Sequence, residues 1–289
     1  MMREKTIKIL IILLMSLSCF RGGIASGGEQ WKEMKGEHFI VYFLQDEKFA
    51  KGVLDKAEVY YRNIATDLGY PRYTDFWLWD KRVKIYIYED HESYIKATGM
   101  PRWSQGMADY KKKQIVSYIW SKDFLESLLP HEIAHLIFRD FVGFRGVIPL
   151  WLDEGVAQWE EEPKRSVITE VARDFYQRDS LLSMKDMMGI NLEEFNEPGK
   201  VYIRPTKTRK GDPGVLFMSS EHLISTYYME AASLVGFLIS KYGSESFAVF
   251  CRELRNGKPL EDAFRSAYPS HIKSIDELDE KWREYLEER

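Results

Sequence analysis

Apolar and polar positions change their period along this chain, and the changes predict its elements. His38 to Phe43 is a short run of β-forming residues and reads as a strand. From Lys48 to Leu68, Phe49, Val53, Ala57, Tyr60, Ile64 and Leu68 recur every three or four positions, a helical stripe that Gly69 stops. Val83 to Tyr88 alternates as a half-buried strand does. Two further strands are expected near Gly106 to Tyr110 and Gln114 to Trp120, with the lysines 111–113 as the turn of a hairpin. Beyond them the pattern becomes helical for the rest of the chain, interrupted by Asn196 to Gly214. That stretch holds three prolines and three glycines, has no helical period, and reads as a long surface loop. Three helices close the sequence: Tyr227 to Tyr242, apolar on nearly all sides and therefore buried; Glu245 to Arg255; and one opened by a capping box of Ser274 and Glu277. Strands with one helix first and helices afterwards predict an α+β fold. A small mixed sheet lobe stands beside a helical C-terminal lobe, with a cleft between them and residues 31 to 289 as one unit.

Charge and the N-terminal segment narrow the class. A formal net charge of -4 lacks the broad basic surface that nucleic acid requires, so no nucleic-acid partner is expected. Arg3, Lys5 and Lys8 precede the apolar run Ile9 to Phe20, and small residues follow through Ser26. That order is a secretory signal peptide, residues 1–25, cut after Ala25. The run of 12 residues is too short for a helix to cross a bilayer, so no stable membrane span is expected in the mature chain. The implied location is periplasmic, extracellular or envelope-associated. An uncleaved anchor and lipidation at Cys19 stand as alternatives, although Ser16 occupies the position where the lipid-attachment pattern has Leu. After cleavage Cys251 is alone, with no intrachain disulfide open to it, and reads as a small buried hydrophobe.

The chemistry concentrates in residues 131–135, His-Glu-Ile-Ala-His. Histidines at i and i+4 share one helical face, so both imidazoles can reach one metal ion. Glu132 projects about 100° further round, beside a metal-activated water and outside the ligand set. Pro130 either kinks this helix or begins it. A zinc that keeps one position open for water needs a third protein ligand. Glu154 supplies it from Trp151-Leu-Asp-Glu-Gly-Val-Ala157, with 18 residues between His135 and Glu154. Two helices, 125–141 and 150–162, should bring His131, His135 and Glu154 together. Glu154, Gln158 and Glu161 then share a face, so Glu161 or Gln158 can accept the second ring N–H of a ligand histidine. For Glu161 the alternative is a solvated charge in an acidic run.

At this point the chain resembles the gluzincin zinc metallopeptidases (peptidase MA-like): His-Glu-x-x-His, 18 residues, then Glu within Trp-Leu-x-Glu-Gly-x-Ala, over residues 125 to 162. The resemblance implies a thermolysin- or aminopeptidase-type catalytic domain, Zn2+ as cofactor, and a peptide or protein substrate hydrolysed by a water that Glu132 deprotonates. It also implies an oxyanion donor from the helical lobe, for which Tyr228, or else Tyr227, is in the right region. Asp153 stands where relatives often have Asn and receives no role. Asp109, in the Gly106 to Tyr110 strand, is loosely comparable to a substrate-gripping carboxylate of the aminopeptidase type. That strand's simpler implication is an edge able to pair with an extended peptide. The competing readings are a catalytically silent peptidase-like binding module in the cell envelope, and an envelope protein with a coincidental motif.

Overall fold

In the computed structural model, which describes residues 30–70, 77–102, 104–119, 123–143, 147–195 and 199–288, five strands form one mixed sheet. The segment expected as a signal peptide, with Cys19, lies outside the described residues. Strands β1 (Lys32–Lys35), β2 (Phe39–Phe43), β3 (Val83–Tyr88), β4 (Gly106–Asp109) and β5 (Gln114–Tyr118) are ordered β1-β2-β3-β5-β4. The β2–β3 and β3–β5 pairs are parallel. Parallel neighbours need crossovers, and helices α1 (Glu47–Asp67) and α2 (His91–Thr98) provide them. Phe39, Val41 and Phe43 of β2 and Val83, Ile85 and Ile87 of β3 are buried against α1, the face that period-two alternation assigns them. β4 runs antiparallel to β5 and is the sheet's edge, as expected of residues 106–110.

The other lobe is helical: α3 (Leu129–Val142), α4 (Leu150–Trp159), α5 (Glu162–Gln177), α6 (Met184–Gly189), α7 (Ser220–Tyr242), α8 (Ser244–Arg255), α9 (Leu260–Ala267) and α10 (Ile275–Glu287). α7 is the axis of this lobe. By length and composition it could cross a membrane, but 83% of its apolar window is buried inside the fold, which makes it a core helix. α4 lies almost backbone-on-backbone against α7. A Cβ on Gly155 would sit 2.5 Å from the Ala231 carbonyl oxygen, and one on Gly236 would sit 2.3 Å from the Trp159 ring. At Gly155 the clash is with backbone, so only glycine permits the approach; at Gly236 the Trp159 ring would have to move. The two lobes are tied by Tyr60, whose hydroxyl donates to the Leu125 carbonyl at 2.8 Å. Trp77 Nε1 and Lys113 Nζ add to the tie, both donating to Asp140 Oδ2 at 2.6 Å.

Several expectations need correction. Asn196 to Gly214 is not one long loop, and the chain is not helical throughout its second half. Val201–Lys207 (β6) and Pro213–Ser219 (β7) form a two-stranded antiparallel hairpin. Its alternation is masked by Pro205 and Pro213, but both its strands are edges, where a missing N–H is tolerated. α7 therefore begins at Ser220, capped by the Ser219 hydroxyl, and Tyr228 lies two turns inside it. The helix expected over 150–162 ends at Trp159, and α5 starts afresh at Glu162 with Pro163 in its first turn. Ser274 caps α10 as expected through the Glu277 N–H, but the Glu277 carboxylate accepts from Lys273 N instead of closing the box on Ser274. β1 and α2 have no counterpart among the expected elements, and α5, α6 and α9 lie within the stretch expected only in general terms to be helical.

The α4–α7 contact is testable. Gly155→Ala should lower stability by about 1–3 kcal/mol, since backbone must move to admit one methyl group. Gly189→Ala, with open space around the new Cβ, should stay within about 0.5 kcal/mol of wild type. Chemical denaturation of the two variants measures the contrast.

Candidate metal centre

The site is built from the start of α3. Ahead of it, Phe124–Leu128 forms a widened π turn in which the Leu129 N–H reaches back to the Phe124 carbonyl. Pro130 has no N–H and would crowd the carbonyl four residues earlier in a regular helix, and the widened turn accommodates it. Pro130 thus begins the regular helix. From Leu129 to Phe138 every side chain is buried, so the histidines are held by packing on all sides.

His131, His135 and Glu154 each present one ligand atom within 4.8 Å of the other two. The two Nε2 atoms are 3.1 Å apart, and Glu154 Oε2 lies 3.9 Å from His131 Nε2 and 3.7 Å from His135 Nε2. Tetrahedral bonds of ~2.0–2.1 Å would separate ligand atoms by about 3.3 Å, so small side-chain adjustments close the set on a single ion. The opposite ring nitrogens are committed. His131 Nδ1 is 3.1 Å from Glu161 Oε1, and His135 Nδ1 is 3.1 Å from Asp153 Oδ1. With carboxylates accepting both Nδ1–H groups, the Nε2 lone pairs face each other and need a proton or a cation between them. Both oxygens of Glu154 are buried with no hydrogen-bond partner among the described residues. This donor set fits a divalent ion.

The carboxylates behind the histidines are themselves anchored. Arg139, one turn beyond His135, donates to Asp153 Oδ2 through Nε at 2.9 Å and Nη2 at 2.5 Å. Lys164 Nζ donates to Glu161 Oε1 at 2.9 Å. Asp153 was given no role from sequence, yet it is the partner of His135; it sits beside Glu154, and Arg139 at i+4 from His135 was the available signal. Gln158 does not touch a histidine. Its amide oxygen accepts from Lys164 Nζ at 3.0 Å, because the helix break places Glu161, not Gln158, opposite His131. Tyr110 was also missed: its ring meets His135 edge-on at 6.4 Å, with the Arg139 guanidinium over its face at 5.9 Å. Asp109 serves the hairpin turn, accepting from Lys112 N at 3.0 Å. A second cluster, Glu37, His38 and Glu58, is an internally satisfied pair in which Glu58 accepts both the His38 N–H and Nδ1–H.

Glu132 is buried, and its Oε1 has no hydrogen-bond partner among the described residues. Burial raises its pKa to about 7, with His135 pulling the other way. Burial also drives His131 down to about 4, its contact with Glu161 only partly compensating. For His135 burial acts downward too, but Asp153 and Glu154 outweigh it and lift the imidazolium to about 9. Tyr228 is buried in α7, and burial followed by the charge of Glu154 holds its hydroxyl protonated far above neutrality. The Tyr227 hydroxyl is spent on the Met187 carbonyl at 3.0 Å. Compared with known proteins, the chain matches no family model, and no curated protein matches it.

Two outcomes follow from this geometry. Asp153→Asn and Glu161→Gln should each weaken metal affinity ~10- to 100-fold, as the tautomer and aim of one histidine are lost, while Gln158→Ala should not; competition with a chromophoric chelator measures all three. Metal binding should also release protons at neutral pH. His135, raised above its ordinary value, is protonated there in the ion-free protein and must become neutral to ligate, so affinity rises as pH climbs toward about 9 and falls below it. Calorimetry in buffers of different ionisation enthalpy should show the release; buffer-independent heats would contradict it.

Proposed function

We propose that the chain is a zinc-dependent peptidase with a thermolysin-like catalytic domain, in which His131, His135 and Glu154 hold Zn2+ and Glu132 is the general base. The carrying observation is the free, buried Glu132 Oε1, one residue along from a ligand histidine and outside the ligand set. The local likeness of residues 125–162 to gluzincins supports the same reading. As part of it, the chain is exported and residues 1–25 are removed.

Zinc bound at this set would polarise a substrate carbonyl and acidify a water. Glu132, beside the ligand set and outside it, is placed to accept that water's proton and return it to the leaving amine. β4 presents an edge to an extended peptide, and its Ala108 backbone interacts with the Glu132 carboxylate, so a strand added there runs past the base. Tyr228 remains the donor candidate for the developing oxyanion, with its neighbour Tyr227 committed elsewhere. Asp153 and Glu161 hold the ligand rings in the required tautomer.

One observation favours a second reading, the silent binding module. His131, His135 and Glu154 are fully buried and Glu132 is 1% exposed, so the site is closed to a peptide in this conformation.

Zinc content and turnover, measured together, separate the possibilities. Glu132→Gln should keep zinc and lose at least ~10²-fold in cleavage of an unstructured protein substrate, because an amide cannot take the proton. His135→Ala should lose both zinc and activity. Retention of more than about a tenth of the turnover by Glu132→Gln would remove Glu132 as base. Wild-type protein that is zinc-replete yet cleaves nothing in a broad peptide library establishes the silent module.

A further inference from the structure

The hairpin β6–β7 turns an apolar face to solvent. Val201 is 47%, Ile203 59%, Val215 67% and Phe217 63% exposed, and Ile203 and Phe217 are paired across the ladder. Pro205 and Pro213 lie in the same two rows. Such a contiguous patch differs from the single exposed apolar residues normal on any surface. It is not a face waiting to fold inward, because the opposite face is already anchored. Leu216 and Met218 are buried in the core, the Tyr202 hydroxyl donates to Asp186 Oδ1 at 2.8 Å, and Arg204 pairs with the same carboxylate. The tip is held as well. Arg209 N donates to Asp179 Oδ1 at 2.8 Å, its Nη2 donates to the Gln177 carbonyl at 2.6 Å, and its guanidinium stacks on Tyr176 at 5.1 Å. A hairpin fixed at its middle and its tip displays a preformed surface.

Charge indicates what that surface meets. Between residues 200 and 219 Asp212 is the one carboxylate, against Lys200, Arg204, Lys207, Arg209 and Lys210, in a chain whose formal net charge is -4. Arg204 and Arg209 are engaged in pairs with Asp186 and Asp179, while Lys207 and Lys210 are exposed, Lys207 in the same row as Val201, Ile203 and Pro205. A second copy laid on this face would bring the same lysines with it and set like charges at one interface. An anionic, apolar-cored partner is complementary instead. We infer that the outer face of the β6–β7 hairpin is a docking surface for an anionic lipid bilayer, with Ile203, Val215 and Phe217 entering the acyl boundary and Lys207 and Lys210 at the phosphates. The insertion is one side-chain layer deep, which keeps the strands' outward backbone groups at headgroup level, where they stay hydrated. Lysine stems span the distance from an apolar layer to phosphate. This assignment is independent of the metal site.

The test is sedimentation of the full chain with vesicles of phosphatidylcholine, with and without phosphatidylglycerol. Wild type should bind the phosphatidylglycerol vesicles about tenfold or more tightly than the neutral ones, and salt should erase the difference. I203E/F217E should lose at least about tenfold on the anionic vesicles, with an unchanged unfolding midpoint because both positions are exposed. K207E/K210E should lose the preference for phosphatidylglycerol. Residues 1–29 are common to all three proteins, so differences among them isolate the hairpin. Failure of wild type to bind phosphatidylglycerol vesicles, or I203E/F217E binding them like wild type, overturns the proposal. So does a concentration-dependent dimer that light scattering detects in wild type and not in I203E/F217E, because the face then belongs to a second copy.

Discussion

His131 and His135 each give an Nδ1–H to a carboxylate, and much of the candidate centre follows from that commitment. Once Asp153 and Glu161 have accepted those protons, the two Nε2 lone pairs can only point at one another across 3.1 Å. The arrangement is stable in a dry interior only with positive charge at its centre. The supporting carboxylates are buried as well, and burial alone would neutralise them. His135 with Arg139 keeps Asp153 ionised, and His131 with Lys164 keeps Glu161 ionised, both well below what burial dictates. Each of these two carboxylates thus has a histidine on one side and a cationic side chain on the other, and losing either partner weakens the compensation of a buried charge.

That arrangement depends on the corner where α4 ends and α5 begins. Glu160 and Glu161 are consecutive but serve opposite sides. Glu161 faces His131, and Glu160 pairs with Arg165 at 2.7 Å, which in turn reaches Asp67 of α1 at 2.7 Å. Glu160 is the C-cap of α4 and Glu161 the N-cap of α5, so the two side chains leave the corner in different directions. Breaking the helix at Trp159 lets one residue bind the metal-site histidine while its neighbour fastens the corner to the sheet lobe.

The convergence of His131, His135 and Glu154 was legible because helical spacing is a strong geometric restraint. Histidines four apart must share a face, and a carboxylate at the start of the following helix must return to them. The mixed sheet beside a helical lobe was legible for a similar reason: period two over Val83 to Tyr88 and period 3.6 over Lys48 to Leu68 leave little choice. Partners set by tertiary contact were not. Asp153 meets His135 across the α3–α4 contact, and Tyr110 meets it from the turn that follows β4. Neither fact leaves a local periodic trace. Glu161 was legible as a partner for one of the histidines, but Gln158, the alternative on the same face, meets Lys164 instead; Pro163, visible just beyond, marks the break between the two helices. The β6–β7 hairpin was hidden by its own prolines, which punctuate a loop and an edge strand alike.

Those prolines carry a consequence for how the protein behaves at high concentration. Exposed apolar hairpins ordinarily invite other chains to extend the sheet through their open edges, which is the route to fibrous aggregation. Pro205 and Pro213 remove one donor from each strand, and Pro205 lies opposite Val215 in the middle of the ladder. An incoming strand therefore meets an interrupted row of partners along either edge. The surface remains adhesive through its side chains while its backbone is a poor template, so stickiness and colloidal safety are separated on the same fourteen residues of β6 and β7.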